Sequence, residues 1–112
     1  MMDQWTGCYD LSWKGIIAEA ATAHPAKFSR GLIERIVAHA FEQKWVQLGS
    51  QIVDPFGGIA TGGIVCAWRG LNWIGCELEQ TFVDLANQNI ALHADQLRAM
   101  GKPVPVIVQG DS

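Results

Sequence analysis

Gln51-Ile52-Val53-Asp54-Pro55-Phe56-Gly57-Gly58-Ile59-Ala60-Thr61-Gly62-Gly63 is the stretch that decides the fold. A short apolar run closes on an acid, a proline follows, and a glycine-dense turn leads onward. Gly49-Ser50 breaks the chain just before the run, so Gln51 to Asp54 reads as a strand bounded on both sides. After the turn, Thr61 to about Arg69 reads as a helix, and Gly70 supplies the left-handed residue that stops it.

Working outward, Asn72-Trp73-Ile74-Gly75-Cys76-Glu77 reads as a second strand that again closes on a carboxylate. Thr81-Phe82-Val83-Asp84 resembles a capping box opening a long helix. Its expected core positions are Phe82, Leu85, Ala86, Ile90, Leu97 and Met100, and Gly101 and Pro103 end it. Val104 to Val108 reads as a third strand leading to Asp111. Upstream, Ser29 to about Trp45 is strongly helical: Leu32, Ile33, Ile36, Val37, Ala40 and Phe41 recur at helical spacing, and Ser29 can cap the first turn. A short helix is expected over Ile16 to Ala23, after an irregular start punctuated by Trp5, Tyr9 and Trp13.

Strand, helix, strand, helix, strand is half of a doubly wound parallel α/β sheet, which predicts helices over both faces. Ligands of such sheets bind at the carboxyl ends of the strands. All three strands run into an acid there: Asp54, Glu77 and Asp111.

Composition sets the outer limits. The 112 residues are 49% apolar with five Trp and four Phe, enough for a core in one domain or part of one. The net charge of -3 excludes the basic surface of a self-sufficient nucleic-acid binder. Three cysteines without a C-x-x-C pair argue against a disulfide framework and against a zinc site, and no metal is expected. The N-terminus lacks the order of a signal peptide and no stretch suits a bilayer, so a soluble, cytoplasmic protein without membrane contact is expected. The serines lack the context of a hydrolase elbow. His24, His39 and His93 have no ligand spacing, and His39 and His93 are expected to be solvated. Trp68 and Trp73 are expected in or over the core.

The chemistry gathers at the strand ends. Side chains at Gly57 and Gly58 would block a ligand approaching the turn, and the helix after it points N–H groups at the same spot, favouring an anion. Glu77 stands 23 positions after Asp54, close to the usual offset for a carboxylate that binds a ribose diol. A ribonucleoside-containing ligand fits this spacing. So does a plain tight turn beside a solvated acid, and spacing alone leaves both open. The glycine register does not fit G-x-G-x-x-G, which disfavours a nicotinamide dinucleotide.

The residue string itself goes further. Asp54-Pro55-Phe56-Gly57-Gly58-Ile59-Ala60-Thr61-Gly62 resembles motif I of the N4-cytosine/N6-adenine DNA methyltransferases, whose pattern is D-P-F-x-G-x-G-T. Trp73-Ile74-Gly75-Cys76-Glu77-Leu78-Glu79 resembles their motif II, and His24-Pro25-Ala26-Lys27-Phe28-Ser29 with its helix resembles motif X. The order X, I, II, III is similar to that of phage-like permuted members, and the likeness covers residues 24 to 111. It implies a partial Rossmann-like S-adenosylmethionine-dependent methyltransferase fold: an irregular segment 1–23, then an S-adenosylmethionine-binding half-domain 24–112 that stops before the catalytic motif.

The resemblance also implies roles. Phe56 and the turn Gly57, Gly58, Ala60 and Thr61 would wrap the methionine and sulfonium end of S-adenosylmethionine. Asp54, with Pro55 beside it, would lie near the amino group. Glu77 would bind the ribose hydroxyls, Leu78 would pack against adenine, and Asp111 would approach the adenine amine. His24, Pro25, Ala26 and Lys27 would contact the methionine carboxylate. Ala60 departs from the pattern, which has glycine there, and its methyl is either tolerated or crowds the cofactor.

Members of that family extrude the target base and hold its amine with a D-P-P-Y or S-P-P-Y motif, and no such motif occurs in these 112 residues. The expectation is a chain that binds cofactor but transfers nothing by itself and meets DNA through other regions. In the sheet order of that family the first strand is central, so without later strands one of its edges would stay unpaired, and the chain is expected to self-associate or to need a complementary C-terminal half. A non-catalytic cofactor-binding module, or a fragment of an RNA or protein methyltransferase, fits the same residues, because a cofactor pocket does not name the acceptor.

Overall fold

The computed structural model describes residues 16, 17 and 30–110. Their elements run α1 (Arg30–Glu42), β1 (Gln51–Asp54), α2 (Thr61–Trp68), β2 (Asn72–Glu77), α3 (Gln80–Ala99) and β3 (Val106–Gln109). The three strands form one parallel sheet in the order β1-β2-β3. This is the expected α/β half-sheet, with β1 on an edge.

The two strands read from apolar runs ending in an acid begin and end where expected. β3 lies further along, at Val106–Gln109 rather than Val104 to Val108. Pro103 and Pro105 explain the shift, since neither can donate a ladder hydrogen bond. Gly70 and Gly101 take left-handed backbone, with φ of 79° and 70°, and end α2 and α3 as the sequence suggests.

Burial alternates along the strands and shows which face is covered. Ile52, Trp73, Gly75 and Ile107 point under the helices, whereas Val53, Ile74, Val106 and Val108 are 66%, 36%, 48% and 43% exposed. Register aligns Val53, Ile74 and Val106 in one row. Among the described residues, then, helices cover one face of the sheet and not both. The mixture of Val and Ile on each strand carries no record of which side is filled.

On the covered face the Trp73 indole lies in a slot cut by two glycines. A Cβ built at Gly75 would fall 2.2 Å from the ring, and one at Gly63 would fall 2.5 Å from it. Helix and strand approach closely here because neither residue has a side chain. Ile64, Leu71 and Val37 close the core around the indole.

The helices correct several expectations. α1 buries Gly31, Ile33 and Val37, while Ile36 is half-exposed; Ser29, Trp5, Tyr9 and Trp13 lie outside the described residues. Of the short helix expected over Ile16 to Ala23, only Ile16 and Ile17 are described, and they lie in a turn. No capping box opens α3. The helix starts at Gln80 after an N-cap Glu79 that makes no side-chain cap bond, and Asp84 instead accepts from Gln80 Nε2 at 2.7 Å.

α3 buries Val83, Ala86, Asn89, Ile90, His93, Ala94 and Leu97, and leaves Met100 exposed. His93 is therefore not solvated. Trp68 Nε1 donates to its Nδ1 at 3.0 Å, and its Nε2 lies 2.6 Å from the carbonyl oxygen of Ile16. The indole can only donate, so Nδ1 carries no proton and Nε2 is the donor. His39 is largely covered too, packed edge-on against Trp45 at 5.4 Å between ring centroids.

Candidate functional site

The site stands at the carboxyl ends of β1 and β2. β1 delivers Asp54 there and β2 delivers Glu77, on neighbouring strands of a parallel pair. Each carboxylate makes the same local bond. Phe56 N–H donates to Asp54 Oδ1 at 2.9 Å, and Glu79 N–H donates to Glu77 Oε2 at 2.8 Å. A carboxylate that accepts from the N–H two residues ahead tightens the turn that follows its strand, and among the described residues the other oxygen of each takes no further hydrogen bond. Asp54 Oδ2 faces the first turn of α2, 3.9 Å from where a Cβ on Gly62 would lie.

The turn between them is folded down onto the sheet. Gly57 N–H donates to the carbonyl of Cys76 at 2.8 Å. A side chain at Gly57 would strike Ile107 at 2.6 Å and the Gly75 backbone at 3.1 Å. Glycine is required there by the protein's own packing, where the sequence suggested ligand approach. Gly58 instead needs its freedom for a φ of 54°, with open space around it.

Ala60 caps α2 from a left-handed conformation, φ 70°, and makes no side-chain bond. Its methyl is wholly buried, so it points into the core rather than at a ligand over the rim. Its departure from glycine bears on the backbone, where a left-handed L-residue costs about 1–2 kcal/mol. Ala60 gives the first N–H groups of α2 no side-chain cap, and the helix end sets donors and a positive dipole end beside the turn.

Around this polar centre stand two apolar side chains in solvent. Phe56 is 80% exposed after β1, and Leu78 is 62% exposed after β2. Gln109 Nε2 donates to the Leu78 carbonyl at 3.3 Å, and Gly110 N–H donates to the Glu77 carbonyl at 3.1 Å, so β3 steadies the second turn. Pro55 is exposed and Thr61 buried within the same turn. Beneath it, burial first and the charge of Asp54 second push the Cys66 thiol up to about 11.

Asp54, Pro55, Phe56, Gly57, Gly58, Glu77 and Leu78 thus come together at one rim, with Ala60 and Thr61 buried in the same turn. Asp111, His24, Pro25, Ala26 and Lys27 lie outside the described residues. Sequence reasoning missed Asn89, a buried α3 amide that donates to the carbonyl of Ile59 in the turn at 2.8 Å. The available signal was its place on an apolar stripe, three residues from Ala86 and one from Ile90.

A parallel half-sheet with two strand-end carboxylates around a glycine turn and a helix N-terminus has the layout in which α/β proteins take ligands at their strand ends. Comparison with known proteins narrows the class. Residues 4–88 match the DNA methylase family, and the chain belongs to the N4-cytosine/N6-adenine DNA methyltransferases. It is 31% identical over 90 residues to the type II methyltransferase M2.DpnII of Streptococcus pneumoniae, covering 80% of this chain and 30% of that one. It is 31% identical over 78 residues to M.BglII of Bacillus subtilis, 70% of this chain and 20% of that one. With M.ScaI of Streptomyces caespitosus it shares 30% over 76 residues, 68% and 23%. The chain spans less than a third of the length of each of these relatives. Its fold is accordingly a partial Rossmann-like methyltransferase fold.

Proposed function

We propose that this chain is the S-adenosylmethionine-binding portion of a DNA methyltransferase that modifies an exocyclic amine, N4 of cytosine or N6 of adenine. The observation that carries the reading is the pair of strand-end carboxylates, Asp54 and Glu77, set on either side of the glycine turn and the uncapped start of α2. Bound there, S-adenosylmethionine supplies an activated methyl group. Glu77, with one oxygen fixed by the Glu79 N–H, accepts from the ribose hydroxyls with the other. The N–H groups at the start of α2 face the anionic methionine end, and Asp54 faces its ammonium group. Exposed Phe56 and Leu78 gain cover by packing on the cofactor, Leu78 on its adenine. Asp111, His24, Pro25, Ala26 and Lys27 complete the assignment from the sequence likeness.

The acceptor motif and the DNA-binding charge belong, in this reading, to a complementary C-terminal half acting in the cytoplasm. By itself the chain binds cofactor and transfers no methyl group. Two features support a complementary half: β1 is an edge strand of the described sheet, and a mainly apolar groove of about 330 Å3 lies along it, lined by Ile33, Ile36, Val37, Ile52, Val53 and Phe56 among others. An open apolar edge favours association.

Calorimetric titration of the chain with S-adenosylmethionine, S-adenosylhomocysteine and NADH tests the assignment. Binding of the first two and not the third is expected. Glu77→Ala should weaken that binding by about 1–3 kcal/mol, the scale for removing one partner of a buried polar contact. No heat with either adenosyl compound, or an unchanged affinity in Glu77→Ala, rejects the cofactor site.

A further inference from the structure

Asn89 occupies a position on α3 as deeply buried as those of Ala86 and Leu97. It is fully buried, on the face that also buries Ala86, Ile90 and Ala94. Its Nδ2 reaches across 30 residues of sequence to the carbonyl oxygen of Ile59, itself buried, at 2.8 Å. An apolar residue of the same size would strand that carbonyl inside the core.

The carbonyl matters because of the peptide it belongs to. On the other side of the same peptide plane, Ala60 N–H donates to the Gly57 carbonyl at 2.9 Å. The Ile59–Ala60 peptide is therefore held from both ends. It is also the peptide that sets the φ of 70° at Ala60, which an L-residue disfavours. Turning the plane over would return that φ to the negative, relaxed side. It would also swing the Ile59 carbonyl away from α3, replacing an interior partner with a negative dipole end loose in the turn. The resting tendency of the backbone opposes the arrangement the site uses, and one side chain from a distant helix holds it.

We infer that Asn89 is a positioning residue for the cofactor turn, locking the Ile59–Ala60 peptide so that α2 presents N–H groups to the ligand. The inference rests on the proposed cofactor reading for its consequence, although the lock itself is independent of it. Asn89 acts on the turn through its bond to the Ile59 carbonyl.

The test compares Asn89→Leu with Leu97→Ala, a core truncation two turns further along the same helix that leaves the turn alone. S-adenosylhomocysteine affinity is measured by calorimetry, and amide exchange of residues 57–63 by mass spectrometry, at temperatures where circular dichroism shows each variant folded. Asn89→Leu is expected to weaken binding by about tenfold and to speed exchange at residues 60–63. Leu97→Ala, with a similar fall in Tm, should stay within about twofold on both readouts. Adding Ala60→Gly to Asn89→Leu should recover much of the affinity, because glycine holds the left-handed conformation without strain. Wild-type behaviour of Asn89→Leu, or equal losses in Leu97→Ala, overturns the inference. If Asn89→Leu does not fold, Asn89→Ser, too short to span the gap, replaces it with the same expectations. If the unaltered chain binds no S-adenosylhomocysteine, the cofactor reading fails, and exchange at residues 60–63 still decides the lock: unchanged rates in the variant overturn it.

Discussion

Trp73 and Ile74 are neighbours on one strand and live in opposite worlds. Trp73 is buried in its glycine slot under α2, while Ile74 sits in an open row with Val53 and Val106. The two faces are almost equally apolar in sequence, yet the described helices fill only one. The covered face is a finished core, with a large ring matched to two residues that have no side chains. The open face has strand-forming residues and, among the described residues, no matching partner. A strand written for burial on both sides is characteristic of parallel sheets, and the exposed Val53, Ile74 and Val106 show that pattern on the side the described helices leave open. This agrees with the proposed complementary half.

The largest effect that would separate the faces is removal of the ring. Trp73→Ala should cost about 3–5 kcal/mol, because the slot between Gly63 and Gly75 cannot close over the void. Chemical denaturation of the variant checks this. A loss near 1 kcal/mol would mean that the covered face is much looser than its geometry.

The next effect contrasts the two described cysteines. Cys66 is buried on α2, and its thiol is pushed up to about 11 from an ordinary value near 9. Cys76 alternates onto the open side, in register with Val108, and is only partly covered. Unfolding lets the Cys66 thiol ionise at its ordinary value, so the unfolded chain gains as pH rises above 9 while the folded chain does not. The contribution is complete below about pH 9 and falls by about 1.4 kcal/mol per pH unit between 9 and 11. Comparing wild type with Cys66→Ala across that range isolates the effect. Identical slopes would dismiss it.

Most of the frame was legible because it rests on short-range chemistry. β1 and β2 end on Asp54 and Glu77 as read, and Gly70 and Gly101 terminate their helices with positive φ as read. What escaped depends on contacts between distant residues. Thr81 looked like a cap, yet the Glu79 N–H was already taken by Glu77, and the helix began one residue before Thr81. His93 looked like a surface residue and Asn89 gave no sign of a role, because composition cannot show that Trp68 and Ile59 wait to pair with them. Gly57 looked like a concession to a ligand, and only the packing shows Ile107 beneath it. Periodicity names an apolar face without naming its cover: helices were expected on both sides, and among the described residues they fill one. The rim itself could be assembled from sequence, because both acids and the turn lie within one strand-helix-strand unit.

The smallest predicted effect is the most telling about the open face. Val106 is 48% exposed and aligned with Ile74. Threonine keeps its branched shape and its preference for a strand while making the exposed tip polar. If solvent is its true neighbour, Val106→Thr should change folding stability by less than about 0.5 kcal/mol. The same change should reduce self-association of the chain, because an apolar row beside an open strand edge is what favours it. Sedimentation velocity across a concentration series measures the second quantity, and denaturation at low concentration measures the first. A large stability loss would show that the face is covered within a single chain, and the contrast between Trp73 and Ile74 would then shrink to one of packing quality. Unchanged stability with weaker association would identify this face as the side on which the sheet takes its partner.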